Sequence, residues 1–177
     1  MNAHESTMQF EEVILPHLDA AYNLARWLTG NDQDAQDVVQ DASLRAFKFF
    51  SGFRGGNSRA WLLKIVRNTF YNWLEKNRPS GISTVGDEEL LAVEDPSVDP
   101  DLLLLRSANV EAVRSAIEKL PVEFREIIVL RELEDCSYKE ISGVAGVPIG
   151  TVMSRLARAR KQLQEILTET PEPGGRP

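Results

Sequence analysis

The most basic stretch of the chain lies near its C-terminus. Thirteen consecutive residues, Ile149–Lys161, carry four basic side chains and no acidic one. Hydroxyl, guanidinium and ammonium groups contact the base edges and phosphates of DNA. The segment therefore has the chemistry of a helix that reads duplex DNA, although the polar outer face of a small bundle would have a similar composition. The candidate contacts are Thr151, Ser154, Arg155, Arg158 and Lys161.

Two helices and a tight turn are predicted to position this basic face. Ser137 and Glu140 have the spacing of a capping box, so a short helix should begin there and end around Val144. Gly146 can adopt the positive φ of a turn, and Pro148 suits the start of a second helix. Short helix, glycine turn and second helix are typical of a helix-turn-helix. The second helix should run to about Leu167 and bury Val152, Leu156, Ala159 and Leu163.

A second candidate nucleic-acid site lies in the first half of the chain. Trp61–Lys76 is predicted to be an amphipathic helix, with Trp61 and Trp73 on its apolar stripe. The glycine-rich loop Ser51–Arg59 precedes it. Charge, amide groups and an aromatic ring together are suited to an unstacked single strand. The candidate contacts are Arg54, Asn57, Ser58, Lys64, Arg67, Asn68 and Tyr71.

An acidic helix precedes this loop. Asn31–Phe50 is predicted to be one helix capped by Asn31 or Asp32. Its buried stripe would include Val38, Ala42, Ala46 and Phe50, and its polar face Asp34, Asp37, Gln40 and Asp41. A row of exposed acids can meet a basic surface on a partner protein, or can simply be a solvated face.

Composition excludes several classes of function. The chain of 177 residues has a formal net charge of −7, one cysteine and two histidines. These counts exclude a disulfide framework and a metal site built from several cysteines, and no phosphate-cradling or paired-carboxylate motif is present. We therefore expect no enzyme, no cofactor and no metal. Cys136 is expected to be a small, at least partly buried residue rather than a redox switch. No apolar run approaches the ~20 residues of a membrane span, which predicts a cytoplasmic protein.

The excess acid is concentrated in the middle of the chain. Residues 80–110 contain seven acidic residues and one basic residue. Prolines and glycines interrupt helical periodicity there, which predicts a flexible acidic linker over 79–109. The predicted fold is all-α, with small helical domains at 1–78 and 110–168 and a disordered tail at 169–177. No spare apolar face is evident, so we expect a monomer.

Taken together, these segments resemble bacterial sigma factors of the extracytoplasmic-function (ECF) class. LPVEFREIIVLRELEDCSYKEISGVAGVPIGTVMSRLARARKQL is similar to region 4 of that family. NDQDAQDVVQDASLRAF is similar to the polymerase-binding segment of region 2, and AWLLKIVRNTFYNWLEKNR to its promoter-melting helix. The order of these segments and the acidic linker between them also fit the class.

The resemblance implies a dissociable specificity subunit of RNA polymerase. The first domain would dock on the β′ clamp helices through Asp34, Asp37, Gln40 and Asp41. It would also capture bases of the minus-ten element, with Asn68 at the position that contacts a flipped base. The second domain would dock on the β flap and read the minus-thirty-five element in the major groove, with Ser154 and Arg158 nearest the bases and Arg155 and Lys161 nearer phosphates. An anti-sigma factor and a role in a stress or envelope response are also implied.

Two other functions compete with this interpretation. A helix-turn-helix regulator that does not join polymerase would explain residues 120–165 but not the pattern in Asn31–Arg78. A module whose main partner is another protein overlaps with the sigma interpretation, because an anti-sigma factor would mask the same faces.

Overall fold

The computed structural model describes residues 2–79, 81–86 and 109–169. Every regular element in these ranges is helical, which confirms the all-α prediction. Most of the predicted linker and residues 170–177 of the predicted tail lie outside the described residues.

Four helices form the first bundle: α1 Ala3–Ile14, α2 Leu18–Thr29, α3 Asp32–Phe49 and α4 Ser58–Asn77. Asn31 caps α3 as predicted, because its side chain accepts from the backbone N–H of Asp34 at 2.8 Å. Helix α4 begins three residues before the predicted start at Trp61. The cause is Asn57, whose side chain accepts from the N–H of Ala60 at 3.0 Å and so starts the helix earlier.

The polar N-terminal segment is also helical, which sequence periodicity did not predict. Asn2 and Glu5 form a capping box at the start of α1. On the inner side of the helix, Phe10 packs edge-on against Phe47 and Phe50, with ring centroids 5.2 and 5.4 Å apart. These aromatic contacts attach the segment to α3.

The core of the first bundle follows the predicted stripes. Val38, Ala42 and Ala46 of α3 are buried, and Phe50 is half-buried. Trp61 and Trp73 pack against the core from partly buried positions. The buried residues of α4 are Leu62, Leu63, Val66, Thr69 and Phe70.

The second bundle contains α5 Val110–Lys119, α6 Val122–Ile128, α7 Tyr138–Ala145 and α8 Ile149–Glu169. Helix α6 continues as a π-helical turn, Val129–Leu133. Leu133, the last residue of this turn, is 48% exposed. A π turn contains more residues than an α turn, which rotates the side chains at its end relative to the α-helical stripe.

The helix-turn-helix is confirmed. Ser137 and Glu140 form the capping box, and Gly146 ends α7 with φ of 69°. Helix α8 follows and buries the whole predicted stripe. A left-handed residue at this position is strained for any residue with a Cβ, so glycine is needed there.

The two bundles pack against each other, with α4 against α7 and α2 against α6. Arg125 of α6 is 3% exposed and lies at this junction. Its guanidinium donates to the carbonyls of Trp27 at the end of α2 and of Glu118 near the end of α5, at 2.9 and 2.6 Å. Helix C-termini present unpaired carbonyls and a partial negative charge, so one buried cation stabilises two helix ends.

We predict that Arg125→Lys lowers the free energy of unfolding by about 2 kcal/mol, measured by urea denaturation. An ammonium group lacks the fork that reaches carbonyls on two helices. The control is Arg114→Lys on exposed α5 surface, which should change stability by less than about 0.5 kcal/mol. Equal effects of the two substitutions would contradict the role assigned to Arg125.

Candidate protein-binding and nucleic-acid interfaces

The acidic row on α3 is largely open to solvent. Asp37, Gln40 and Asp41 are exposed, and Asp41 forms a surface ion pair with Arg45 at 3.3 Å. Asp34 is half-buried and forms part of the N-cap, since Asn31 donates to its carboxylate at 2.6 Å. Three of the four predicted residues therefore present one polar surface, whereas Asp34 also organises the helix start.

Two apolar side chains extend this surface. Leu44 is 67% exposed and Phe47 is 50% exposed. Leu44 lies one helical turn beyond Asp41 and two turns beyond Asp37, on the same side of α3. The sequence analysis did not identify these two residues as candidate contacts. The available signal was an apolar residue that shares the helical spacing of the acidic residues and not that of the buried stripe containing Val38. Acidic groups beside exposed apolar groups are typical of a protein-binding surface.

The predicted single-strand face on α4 divides into two parts. Arg54, Lys64 and Asn68 are exposed. Arg67 and Tyr71 are half-buried and turn toward the second bundle. The exposed part is a basic surface with an amide group, and the covered part is engaged in contacts within the chain.

Arg67 pairs with a carboxylate of the second bundle. Its Nε and Nη2 donate to the two oxygens of Glu126 at 3.1 and 3.3 Å. The Glu126 side chain is 0% exposed and that of Arg67 is 21% exposed. The guanidinium also lies 4.3 Å from the centre of the Tyr71 ring. This is a two-point contact between charged groups, removed from most of the solvent.

Electrostatics at this ion pair reflect two opposing effects. Burial raises the pKa of Glu126, and the positive charge of Arg67 opposes that rise. Burial alone would lower the pKa of Arg67, but the nearby carboxylate of Glu126 raises this pKa above its usual value. Burial likewise raises the pKa of the Tyr71 hydroxyl above its usual value.

The last loop residue before α4 and the first turn of α4 are also held by polar contacts. Asn57 donates to Glu140 at 2.8 Å. Arg59 donates to the carboxylate of Glu134 at 3.1 Å and to the backbone carbonyl of the same residue. Ser58 is hydrogen-bonded within the first bundle, to His17 at 2.9 Å.

The predicted recognition face of α8 is also partly covered. Ser154 is 7% exposed and donates to the carbonyl of Thr151 at 3.1 Å. Arg155 is half-buried, and its positive charge acts on Glu126. Arg158 is half-buried, with its guanidinium 5.4 Å from the ring centre of Phe124. Lys161 is exposed, and Thr151 is half-exposed.

The described residues contain no cluster of histidine, cysteine and acidic side chains that could hold a metal ion. Cys136 is fully buried, as expected, and burial raises the pKa of its thiol. Across the described ranges, no helix combines the length and the apolar character that crossing a bilayer requires.

Two family models match the chain. The model of sigma-70 region 2 matches residues 13–79, and that of sigma-70 region 4 matches residues 110–163. The first match spans α2 to α4, and the second spans α5 to most of α8. The region 2 match accounts for the segment that a simple helix-turn-helix regulator left unexplained.

Named relatives agree with these matches. The chain is 32% identical over 161 residues to the ECF RNA polymerase sigma factor SigE of Mycolicibacterium smegmatis, covering 90% of this chain and 62% of that protein. It is 33% identical over 171 residues to the RNA polymerase sigma-H factor of Pseudomonas aeruginosa, covering 90% and 89%. The chain therefore spans less than two thirds of the first relative and most of the second.

A solved structure has the same fold. The sigma factor RpoE, in its co-crystal structure with the anti-sigma factor NepR from Bartonella quintana, superposes with a TM-score of 0.67 at 29% identity. The match covers 92% of this chain and 99% of that one.

We predict a pH-dependent contribution from Glu140. The Ser137 N–H, followed by the Asn57 amide, lowers the pKa of this carboxyl from its ordinary 4.5. Its stabilisation is thus present above pH 4.5 and is lost as the pH falls through the lowered value. Glu140→Ala should lower the free energy of unfolding by about 1 kcal/mol near neutral pH and by much less at about pH 3.

Urea denaturation at the two pH values measures this effect. The control is Lys139→Ala, an exposed neighbour on the same helix, whose effect should be small at both. A cost for Glu140→Ala that does not change with pH would contradict the capping role of its charge.

Proposed function

Because this chain belongs to the ECF class of the sigma-70 family, we propose that it directs core RNA polymerase to specific promoters and initiates transcription there. The observation that carries the proposal is the presence of both family regions in one chain. The chain supplies binding and discrimination, and it catalyses no reaction itself. It would work in the cytoplasm, where the polymerase is.

Core polymerase binds the acidic surface of α3. Asp37, Gln40 and Asp41 are exposed and face the β′ clamp helices in this proposal, and Leu44 adds an apolar contact beyond Asp41. Charge complementarity gives orientation and rate, and burial of the leucine adds affinity. Asp34 contributes at the edge while it caps the helix.

The exposed part of α4 binds the melted minus-ten element. Asn68 holds a base that leaves the duplex, and Lys64 and Arg54 bind the neighbouring phosphates. Extruding a base costs a few kcal/mol, which the pocket contacts and the polymerase must offset together. Asn57, Ser58, Arg67 and Tyr71 complete this site once they are released from their present partners.

Helix α8 binds the minus-thirty-five element in the major groove. Once this face is uncovered, Ser154 and Arg158 contact base edges, while Thr151, Arg155 and Lys161 position the helix on the backbone. A good bidentate base contact discriminates by about 1–3 kcal/mol. This second domain docks on the β flap, so the polymerase holds both domains at promoter spacing.

An anti-sigma factor controls the protein in this proposal, in a stress or envelope response. The support for such a partner is the Bartonella quintana structure, in which a sigma factor of the same fold is bound to an anti-sigma factor. The free chain is a monomer that exchanges between this partner and the polymerase.

Run-off transcription tests the proposed function. Core polymerase stripped of sigma is incubated with fragmented genomic DNA, with and without the full chain. New starts that share two upstream elements are expected, and their alignment gives the promoter sequence. Absence of both transcription and co-elution with core polymerase would overturn the proposal.

We predict that the double substitution Asp37→Lys and Asp41→Lys weakens binding to core polymerase at least tenfold, measured by fluorescence titration. The two introduced lysines would then face the basic surface that the acidic row is proposed to bind on the polymerase, and like charges repel. The control is Asp19→Lys, an exposed residue on α2 with the same change in charge per site. Equal weakening by the control would assign the effect to net charge.

We also predict that Asn68→Ala lowers open-complex formation by about five- to 150-fold and leaves polymerase binding unchanged. The expected loss is that of one base contact, about 1–3 kcal/mol. Permanganate footprinting measures the open complex. Asn77→Ala, at the end of the same helix, serves as the control. Full opening by the Asn68 variant would remove this residue from the site.

A further inference from the structure

We infer that Ile149 and Met153 form an apolar edge on α8 that selects thymine in the minus-thirty-five element through the C5-methyl group of that base. The inference rests on the proposed binding of duplex DNA by α8. It deepens that proposal, because it assigns base discrimination to two apolar residues outside the candidate contacts of α8 and names the base that they select.

The exposed side chains at the start of α8 are apolar. Ile149, the first residue of the helix, is 45% exposed, and Met153 is 37% exposed. A spacing of four residues places the two side chains on the same side of the helix, one turn apart. The neighbouring Ser154 is buried, and its hydroxyl donates to the carbonyl of Thr151 within the helix. The accessible surface of the first two turns is therefore more apolar than the composition of the basic stretch indicates.

Gly150 leaves the backbone open beside this edge. It is exposed, and a Cβ built at its position would meet no other part of the described chain within 4 Å. Packing within these residues therefore does not require glycine here, although glycine is less favourable than alanine in a helix. The missing side chain does allow another molecule to approach the backbone of the first turn closely.

The charges along the helix favour DNA, rather than the apolar surface of a protein, as the partner of this edge. Ile149–Lys161 has four basic side chains and no acidic one. The spacing of four continues from Met153 through Ala157 to Lys161, which is an exposed cation two turns farther along. An apolar edge in a basic segment matches a polyanion that has apolar groups in its groove.

Thymine is the base that offers such a group. In the major groove, thymine presents a C5-methyl group, whereas guanine, adenine and cytosine present hydrogen-bonding groups. Residues near the N-terminus of a recognition helix contact base edges, and both Ile149 and Met153 lie there. Another base at these positions would place a donor or acceptor against an apolar side chain and leave it without a partner.

The expected size of the effect follows from the burial of one methyl group. Removing that group from the interface should weaken binding about fourfold. The unbranched side chain of Met153 has freedom to adjust to the methyl group, while the branched side chain of Ile149 is held in one conformation. We therefore expect thymine to be preferred at one or two positions of the minus-thirty-five element.

The test uses the full chain bound to core polymerase and a promoter identified by run-off transcription. Each thymine of the minus-thirty-five element is replaced in turn by deoxyuridine, and the dissociation constant is measured by fluorescence anisotropy. Deoxyuridine pairs with adenine as thymidine does and lacks only the C5-methyl group, so the replacement isolates the proposed contact. At least one replacement should weaken binding by the wild-type chain about fourfold.

Met153→Ala connects this loss to the protein. The variant should bind the unmodified promoter about fourfold more weakly and should lose the dependence on one thymine methyl group, as in a double-mutant cycle. Met8→Ala is the matched control, because Met8 is an exposed methionine on α1 of the first bundle. It should retain both the affinity and the full dependence on the methyl group.

Circular dichroism checks that each variant is folded, and the deoxyuridine scan with the wild-type chain decides the question if Met153→Ala does not fold. A minus-thirty-five element without thymine, or an affinity that no replacement changes, would overturn the inference. Full methyl dependence in a folded Met153→Ala variant would also overturn it. Weaker binding of this variant to core polymerase, without methyl dependence at the promoter, would assign the edge to a protein contact instead.

The outcome is separable from that of the proposed function. Transcription without any dependence on thymine methyl groups would remove the apolar edge and leave the sigma assignment in place. If no transcription occurs, the same scan is made on a duplex that the full chain alone selects from a random pool. Methyl dependence there would retain the inference without the sigma function, and a chain that selects no duplex would overturn both.

Discussion

The buried ion pair between Glu126 and Arg67 is the interaction on which the arrangement of this molecule depends. A fully buried carboxylate is costly unless a cation and hydrogen bonds offset its lost hydration. Here one guanidinium supplies both through a two-point contact. Removing either partner of such a pair typically costs about 3–5 kcal/mol, because the other charge is left buried and alone. This contact therefore fixes the position of Glu126 on α6 relative to Arg67 on α4.

The neighbouring residue makes this junction specific. Arg125 directly precedes Glu126 in α6 and places its guanidinium between carbonyls near the C-terminal ends of α2 and α5. A cation and an anion side by side on α6 therefore engage two different helices of the first bundle. Arg67 and Arg155, one from each candidate nucleic-acid face, lie at this junction, whereas the acidic surface of α3 stays outside it. Under the proposed function, separation of the bundles would change access to DNA and leave the proposed polymerase-binding surface unchanged.

Local signals in the sequence predicted most of the fold. Ser137, Glu140 and Gly146 define a helix start and end through their own backbone contacts, and the stripe of α8 follows from its period. The π turn after α6 and the helix at Ala3–Ile14 were not evident, because neither produces a distinct hydrophobic period.

The candidate sites were predictable by residue type but not by environment. Periodicity indicates that Arg67 and Tyr71 share a polar face, yet it contains no information about a partner 59 residues away in the sequence. Arg67 was therefore expected to be solvent-facing, although it is bound to Glu126. Leu44 was overlooked because an isolated apolar residue on a polar face is common on protein surfaces.

A distance measurement between the two bundles tests the central claim most directly. Fluorophores on exposed positions Glu12 and Lys139 would report on α1 and α7, while the buried Cys136 thiol remains unlabelled. Single-molecule energy transfer should show one narrow, high-transfer population in the free chain and a low-transfer population after core polymerase is added. A broad or low-transfer distribution in the free chain, unchanged by polymerase, would contradict the account.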